Sequence, residues 1–336
     1  MKKIIITGGC GFIGSYIVHS ALKRKFRVLN IDKISYASRN LNIKHKNYTL
    51  VKADLINTKK LEKIFNKFKP DFIINCAAES HVDRSIDNPD IFFQSNVLGT
   101  LNLLNETIKL KKKIRFLQVS TDEVFGSLKF NKMKFNENSN YKPNSPYSAS
   151  KASADHLVRA YGETFGLNYV ITNCSNNFGP FQYPEKLIPV VIKNLINKSK
   201  IPIYGNGKNI RDWIYVQDHV DAIFKCLLNG KKSNTYLIGS NNELSNIELV
   251  KIICKRYKKI TNDNFNYLKL ISYIKDRQGH DLRYAINAKK IKNQLGWKPK
   301  NKFQISLDKT IKFYIDNRNF IKKFYTRDTW LKKKYA

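Results

Sequence analysis

The sequence predicts an α/β protein, a doubly wound and mostly parallel β-sheet followed by a smaller C-terminal domain. Three observations predict it. Short β-branched runs alternate with amphipathic stretches through the first half of the chain, several of those runs are apolar at every position, and the first leads straight into a glycine-rich turn.

Lys3–Thr7, Phe26–Ile31, Tyr48–Ala53, Asp71–Ala77, Arg115–Ser120 and Asn168–Asn173 read as strands, all but the last followed by helix-like or loop sequence. Strands in a sheet with one wet face alternate apolar and polar residues. Ile4-Ile5-Ile6 and Phe72-Ile73-Ile74 do not alternate, which is the mark of strands covered on both faces. After Phe178 the rhythm breaks into loops at Gly179-Pro180, Pro184 and Gly205-Asn206-Gly207. Residues 1–178 are therefore expected to form one domain and residues 179–336 mainly a second. The segment 213–240 regains a helix-then-strand pattern and is expected to return to the first sheet.

The 336 residues carry 61 Lys+Arg against 26 Asp+Glu, a formal net charge of +35. Such a balance raises nucleic acid or an anionic membrane as partners. The basic residues are spread along the whole chain, however, with only short runs such as Lys111–Lys113, and no zinc-finger, zipper or RNP-type pattern accompanies them. This reads as compositional bias rather than a binding stripe, so neither nucleic acid nor membrane is expected as the partner. A positive field would still attract an anionic small molecule. The five cysteines show no C-x-x-C spacing and the six histidines no H-E-x-x-H, so free thiols in a reducing cytosol and no metal site are expected. The apolar run after Met1-Lys2-Lys3 stops at Thr7-Gly8-Gly9, too short for a signal peptide, and nothing reaches the length of a membrane span.

Directly after the first strand comes Gly8-x-x-Gly11-x-x-Gly14, opening an apolar helix with Ile17, Val18 and Leu22. The three glycines serve different mechanical ends, namely a sharp turn, close approach of backbone to a pyrophosphate, and close packing of helix on strand. The helix N-terminus then offers unpaired N–H groups to phosphate. Strand two ends at Asp32, placed to accept hydrogen bonds from ribose hydroxyls and to repel the extra phosphate of NADP. Together these predict a Rossmann-type domain that binds NAD, with Lys33 as a cation that could partly offset the Asp32 charge.

Tyr147 and Lys151 are spaced to share one face of a helix, where the ammonium would stabilise a phenolate and bring the tyrosine below its ordinary value of about 10. The spacing alone recurs at Tyr48/Lys52, on a strand where four residues span about 13 Å, and at Tyr204/Lys208, across a glycine turn. Only Tyr147 follows a helix-start signal, Ser145-Pro146. At the end of the fifth strand stands Ser120-Thr121-Asp122-Glu123, on the carboxyl edge where open α/β sheets bind ligands. The quartet also suits a plain helix N-cap or solvated turn.

The glycine loop and the Tyr147/Lys151 pair resemble the extended short-chain dehydrogenase/reductases. Ala77-Ala78-Glu79-Ser80-His81-Val82-Asp83-Arg84-Ser85, Thr121-Asp122-Glu123-Val124 and Asp276-Arg277-Gln278-Gly279-His280-Asp281 resemble, within that group, the dTDP-glucose 4,6-dehydratase family. The resemblance implies C4 oxidation of a nucleotide-activated glucose, loss of water across C5 and C6, and return of hydrogen to C6, with NAD regenerated in each turnover. Tyr147 would take the C4 hydroxyl proton, Thr121 would hold that hydroxyl, and Lys151 would tune Tyr147 and the ribose. Glu123 would be the base at C5 and Asp122 the acid at the C6 hydroxyl.

The same resemblance assigns a cofactor set. Gly8, Gly11, Phe12, Ile13 and Gly14 belong to the loop, and Asp32, Lys33, Ile34 and Ser35 follow strand two. Asp54 and Leu55 would flank the adenine, while Cys76, Ala77, Ala78, Glu79 and Ser80, with Ser95, Tyr147, Lys151 and Asn177, would line the rest. For the substrate it implies Ser80, Thr121, Asn176, Lys186, Leu187, Pro202, Ile203, Tyr204, Arg211, Asn246, Asp276, Arg277, Gln278, Gly279 and His280, of which Arg211 and Arg277 suit a diphosphate best. Two positions depart from the family pattern, Gln278 for a proline and Phe125 for a tyrosine, and neither touches the proton transfers. The alternatives are a UDP-glucose 4,6-dehydratase or a related sugar-nucleotide epimerase or decarboxylase. The adjacent acid and base speak against the last two. A homodimer in the cytoplasm completes what the resemblance implies.

Overall fold

The computed structural model describes residues 1–39, 41 and 43–335. Seven strands make the central sheet. They are β1 (Lys3–Thr7), β2 (Arg27–Asp32), β3 (Tyr48–Lys52), β4 (Phe72–Asn75), β5 (Arg115–Thr121), β6 (Asn168–Cys174) and, later in the chain, Asn234–Ile238. Every pairing among them is parallel. Across the sheet they run Asn234–Ile238, β6, β5, β4, β1, β2, β3. The doubly wound fold is thus present as predicted, and the chain reverses its direction of travel between β1 and β4. At such a switch point the flanking connections leave in opposite directions and open a crevice at the carboxyl edge.

The apolar runs explain why this sheet is covered twice. Ile4, Ile6, Val28 and Ile74 point to one face, under helices Phe12–Lys23 and Val216–Asn229. Ile5, Leu29, Ile73 and Phe116 point to the other, under helices Thr58–Phe68, Gly99–Lys109 and Pro146–Phe165. Phe125, a departure from the family pattern, stacks on Phe135 at 5.2 Å and meets Tyr141 edge-on at 5.1 Å, so its apolar ring is accommodated by an aromatic cluster.

The remaining strands are short. β7 (Asn176–Phe178), β8 (Ile201–Tyr204), β9 (Ile210–Tyr215) and, beyond Asn234–Ile238 (β10), β11 (Glu243–Ser245) and β12 (Ile271–Ile274) form a three-stranded sheet, β11-β9-β7, and a two-stranded one, β12-β8. A separate core of Ile188, Ile192, Leu249, Ile253, Leu307 and Ile311 binds helices Leu187–Ile196, Asn246–Thr261 and Phe303–Asp316 to these strands. Tyr204, Arg211 and Asn246 of this lobe line a hollow together with Ser80 and Glu123 from the carboxyl edge of the large sheet.

Candidate functional site

Four neighbouring strands end in one place. β1 passes into the glycine loop, β4 into the 76–80 segment, β5 into Thr121-Asp122-Glu123, and β6 into Cys174–Asn177. Residues from all four turns line a single deep cleft. A second hollow under the C-terminal lobe adjoins it, sharing Ser80, Glu123, Asn176 and Lys186 with the first.

The glycine loop explains the deep end. Gly8 has φ +69, and a Cβ there would stand 2.6 Å from the Ala77 Cα. A Cβ on Gly14 would stand 2.0 Å from the Gly8 carbonyl oxygen, so the helix can lie this close to the strand only with glycine. At Gly11 a Cβ would meet only the Gly8 oxygen, at 3.3 Å. Gly11 is the N-cap of helix Phe12–Lys23 and supplies no side-chain acceptor, which leaves the first N–H groups facing the cleft for an anion. Gly9 has a role that the spacing does not reveal. Its N–H donates to Asn30 Oδ1 at 3.0 Å, and a Cβ would collide with that side chain.

These contacts predict different outcomes for two conservative changes. Gly14→Ala should lower stability by about 2 kcal/mol or more through overpacking and disturb cofactor binding. Gly11→Ala should nearly preserve stability yet weaken NAD binding. Melting temperatures with and without NAD would separate the two.

Asp32 is fixed before any ligand arrives, accepting from the Cys10 N–H at 2.9 Å, the Ile34 N–H at 2.8 Å and the Ser38 hydroxyl at 3.1 Å. The Lys33 ammonium is paired with Glu79 at 2.7 Å, so it is not free to compensate a second phosphate beside Asp32. This arrangement fits NAD. Of the residues assigned to the cofactor, Ile34 alone stays off the cleft wall. Its φ of +59 turns the side chain to solvent, and its backbone N–H serves Asp32 instead.

Tyr147 and Lys151 lie on helix Pro146–Phe165, which starts as the sequence indicates: Pro146 follows Ser145, whose hydroxyl accepts from the Ser148 N–H at 3.1 Å in a capping box. Tyr48 and Lys52 fall on β3, and Tyr204 and Lys208 flank a turn with positive φ at Gly205 and Gly207. The Thr121 side chain caps the short 3-10 turn Asp122–Phe125, accepting from the Glu123 N–H at 3.3 Å, and it lies against Tyr147, whose phenol it draws down.

The two carboxyl groups sit in unequal surroundings. Asp122 is buried, with Oδ2 unpartnered, and burial together with the neighbouring Glu123 and Asp212 pushes its carboxyl well above the usual range. Burial also raises Glu123, but Arg277, Lys186 and Arg211 oppose it. Adjacent in sequence, one is therefore placed to hold a proton and the other to lose one.

Tyr147 differs from the expectation. Burial, and then the Glu123 charge, push its phenol well above the ordinary value, with the Thr121 hydroxyl as the opposing contact. Lys151 does not offset this, because its ammonium donates to the Val119 carbonyl at 2.7 Å.

In the second hollow Arg211 is locked by bonds to the Ile210 and Asp281 carbonyls at 2.7 and 2.9 Å, with the Tyr284 ring 4.1 Å from its guanidinium carbon. Lys186 donates to the Ser80 carbonyl at 2.7 Å, and Arg277 reaches Asp83 at 3.3 Å while its Nε remains buried and unpaired. Asn176 Oδ1 and Trp213 Nε1 are likewise buried without partners. An unsatisfied buried polar group costs about 1–3 kcal/mol. Several of them lining one hollow mark a place where a polar ligand completes the bonding.

Leu187, Pro202, Ile203, Tyr204, Asn246 and His280 also line this hollow. Asp276, Gln278 and Gly279, also expected at the substrate, lie outside its lining. Asp276 instead accepts from the Arg277 N–H at 2.8 Å and bonds His280 at 2.7 Å, and Gly279 turns the chain with φ +61. Sequence reasoning misses His81, Asp83, Gln182, Glu185, Trp213 and Tyr284, all on the wall. For His81 and Asp83 a signal exists, since both stand in the same motif as Ser80.

A family model described as GDP-mannose 4,6 dehydratase matches residues 5–310. A probable dTDP-glucose 4,6-dehydratase of Sinorhizobium fredii is 44% identical, with 94% of this chain and 93% of the relative covered. A dTDP-glucose 4,6-dehydratase of Escherichia coli is also 44% identical over 95% of each chain. Among solved structures, the dTDP-glucose 4,6-dehydratase of Streptomyces venezuelae with NAD bound superposes with a TM-score of 0.89 at 36% identity, covering 96% of this chain and 99% of that one. The Bacillus anthracis enzyme in complex with NAD gives 0.86 at 41% identity, covering 96% and 100%. With agreement of this extent in sequence and fold, the chain belongs to the dTDP-glucose 4,6-dehydratase family.

Proposed function

We propose that the protein dehydrates dTDP-glucose to dTDP-4-dehydro-6-deoxyglucose. The observation that carries this reading is the pair Asp122 and Glu123 beside Tyr147 at the end of β5, two carboxyls that burial raises unequally because three cations oppose it at Glu123. An epimerase needs the tyrosine and the cofactor but has no use for an acid and a base that expel water.

NAD, when bound, supplies the redox chemistry, taking the C4 hydrogen with its electron pair and giving it back at C6, so that none is consumed. Tyr147 accepts the proton of the C4 hydroxyl, which Thr121 helps to orient; it does so as the phenolate, a form that burial and Glu123 oppose and the Thr121 contact favours. The C4 ketone so formed makes the C5 hydrogen acidic. Glu123 removes that proton, Asp122 protonates the C6 hydroxyl, and water leaves; Glu123 then returns a proton to C5. Arg211, Arg277 and Lys186 receive the diphosphate, and Arg277 and Lys186 also hold Glu123 towards its carboxylate form. In this reading residues 1–178 with 213–240 hold the cofactor, and the remainder of 179–336 mainly holds the nucleotide sugar. Incubation with dTDP-glucose should give a 4-keto-6-deoxy product lighter by one water. An isomer of unchanged mass would contradict the reading.

A pH dependence follows from Glu123. It must be ionised to act, and burial raises its carboxyl, so kcat/KM should fall on acidification at a pH above the ordinary glutamate value of about 4.3. Arg277→Gln removes the first of the charges opposing burial and should move that acid limb to higher pH.

We also infer a cytoplasmic homodimer. No helix among the described residues is long and apolar enough to cross a membrane, and all five cysteines are free thiols. Ile91, Phe93 and Leu98 are exposed within the continuous helical stretch from Pro89 to Lys109, and a second copy would cover them. Light scattering should report twice the subunit mass, whereas a monomer would contradict the dimer.

A further inference from the structure

Lys151 is a buried cation without an ion pair in contact among the described residues; its ammonium bonds the Val119 carbonyl alone. An uncompensated buried charge is costly, by several kcal/mol, so a counter-charge is needed nearby. Three acidic groups act on it: the Asp155 carboxyl and the Cys76 and Cys174 thiols. The thiols cannot serve, because burial pushes Cys76 up to about 12 and Cys174 higher, and both stay neutral. Asp155 remains, one helical turn beyond Lys151 and fully buried.

One oxygen of Asp155 is an acceptor for three neighbouring side chains. Its Oδ2 accepts from the Ser120 hydroxyl at 2.7 Å, the Tyr141 hydroxyl at 2.9 Å and the Asn173 amide at 3.3 Å. The Tyr141 oxygen in turn accepts from the Arg159 guanidinium at 3.0 Å, which leaves its O–H available to Asp155. Three donors converge on Oδ2, a pattern that favours negative charge there. The other oxygen, Oδ1, is buried and unpartnered. Burial raises this carboxyl on balance, and Lys151, Ser120, Arg159 and Tyr141 draw it back towards the ionised form. The network is also tied to the reacting end of β5, because Ser120 precedes Thr121 and the Asn173 amide donates to the Thr121 carbonyl at 3.0 Å.

We propose that Asp155 is a positioning residue of the reaction, a buried carboxylate that supplies the counter-charge of Lys151 and couples it to the strand end carrying Thr121. The proposal rests on the reading of Lys151 as part of the catalytic site.

Three variants test it, each measured for its pH profile of kcat and for its melting temperature. Asp155→Asn keeps the shape and removes the charge. Lys151 should then lose its proton more easily, moving the alkaline limb of kcat down by about one pH unit. Tyr141→Phe removes a bond of the same network but no charge, and should lower the melting temperature while leaving the limb in place. Lys151→Met should abolish turnover. An Asp155→Asn enzyme that melts earlier but keeps the wild-type profile would overturn the proposal, as would a Tyr141→Phe enzyme whose limb moves equally far. Full activity in Lys151→Met would instead overturn the underlying reading of Lys151.

Discussion

Replacing Tyr147 by phenylalanine is expected to lower kcat about 10²- to 10⁴-fold, the range associated with loss of a positioned acid–base group. Only the hydroxyl is removed. The ring keeps its edge-on contact with Phe92 at 6.3 Å and its place beside Val82, so the fold and the cleft should persist. With no group to take the C4 hydroxyl proton, oxidation becomes slow. Mixing the variant with dTDP-glucose should therefore give no build-up of reduced cofactor, because the slowed oxidation now limits turnover, although its melting temperature stays near that of the wild type.

The second large effect lies one step later. Glu123→Gln preserves shape and removes the base, so the C4 oxidation should proceed and then halt. Reduced cofactor should accumulate on the enzyme at close to one equivalent per site, with product formation slowed about 10²-fold or more. Burial makes this separation possible, because Glu123 and Tyr147 act on different hydrogens from one small volume. Should both variants stop at the same step, the assignment of oxidation to one and elimination to the other would be wrong.

Much of this was legible in the sequence for a physical reason. Ile4-Ile5-Ile6 and Phe72-Ile73-Ile74 are apolar at every position because helices cover both faces of the sheet, and that demand is local enough to read. β7 and β11 have three residues each, and what makes them strands is their pairing with β9 from elsewhere in the chain, so no periodicity reveals them. Tyr147 was separable from Tyr48 and Tyr204 because a helix start leaves a local mark, Ser145-Pro146. Loop direction leaves none. Ile34 stands in the correct segment yet turns to solvent at a positive φ, and Asp276 meets the wall through its bond to His280.

The electrostatics were the least legible. Lys151 four residues after Tyr147 suggests a pair, but the ammonium turns to the Val119 carbonyl. Asp155, a further four residues on, looks in sequence like a surface charge of an amphipathic helix. Only the packing of β5, β6 and the Tyr141 loop around it makes it a buried carboxylate.

The most direct measurement follows a single hydrogen. If one cleft holds the cofactor, the sugar and both carboxyls, a deuterium placed at C4 of dTDP-glucose should reappear at C6 of the dehydrated product in the same molecule. Deuterium found at C4 of an isomerised sugar, or washed out to solvent, would contradict the coupled oxidation and elimination.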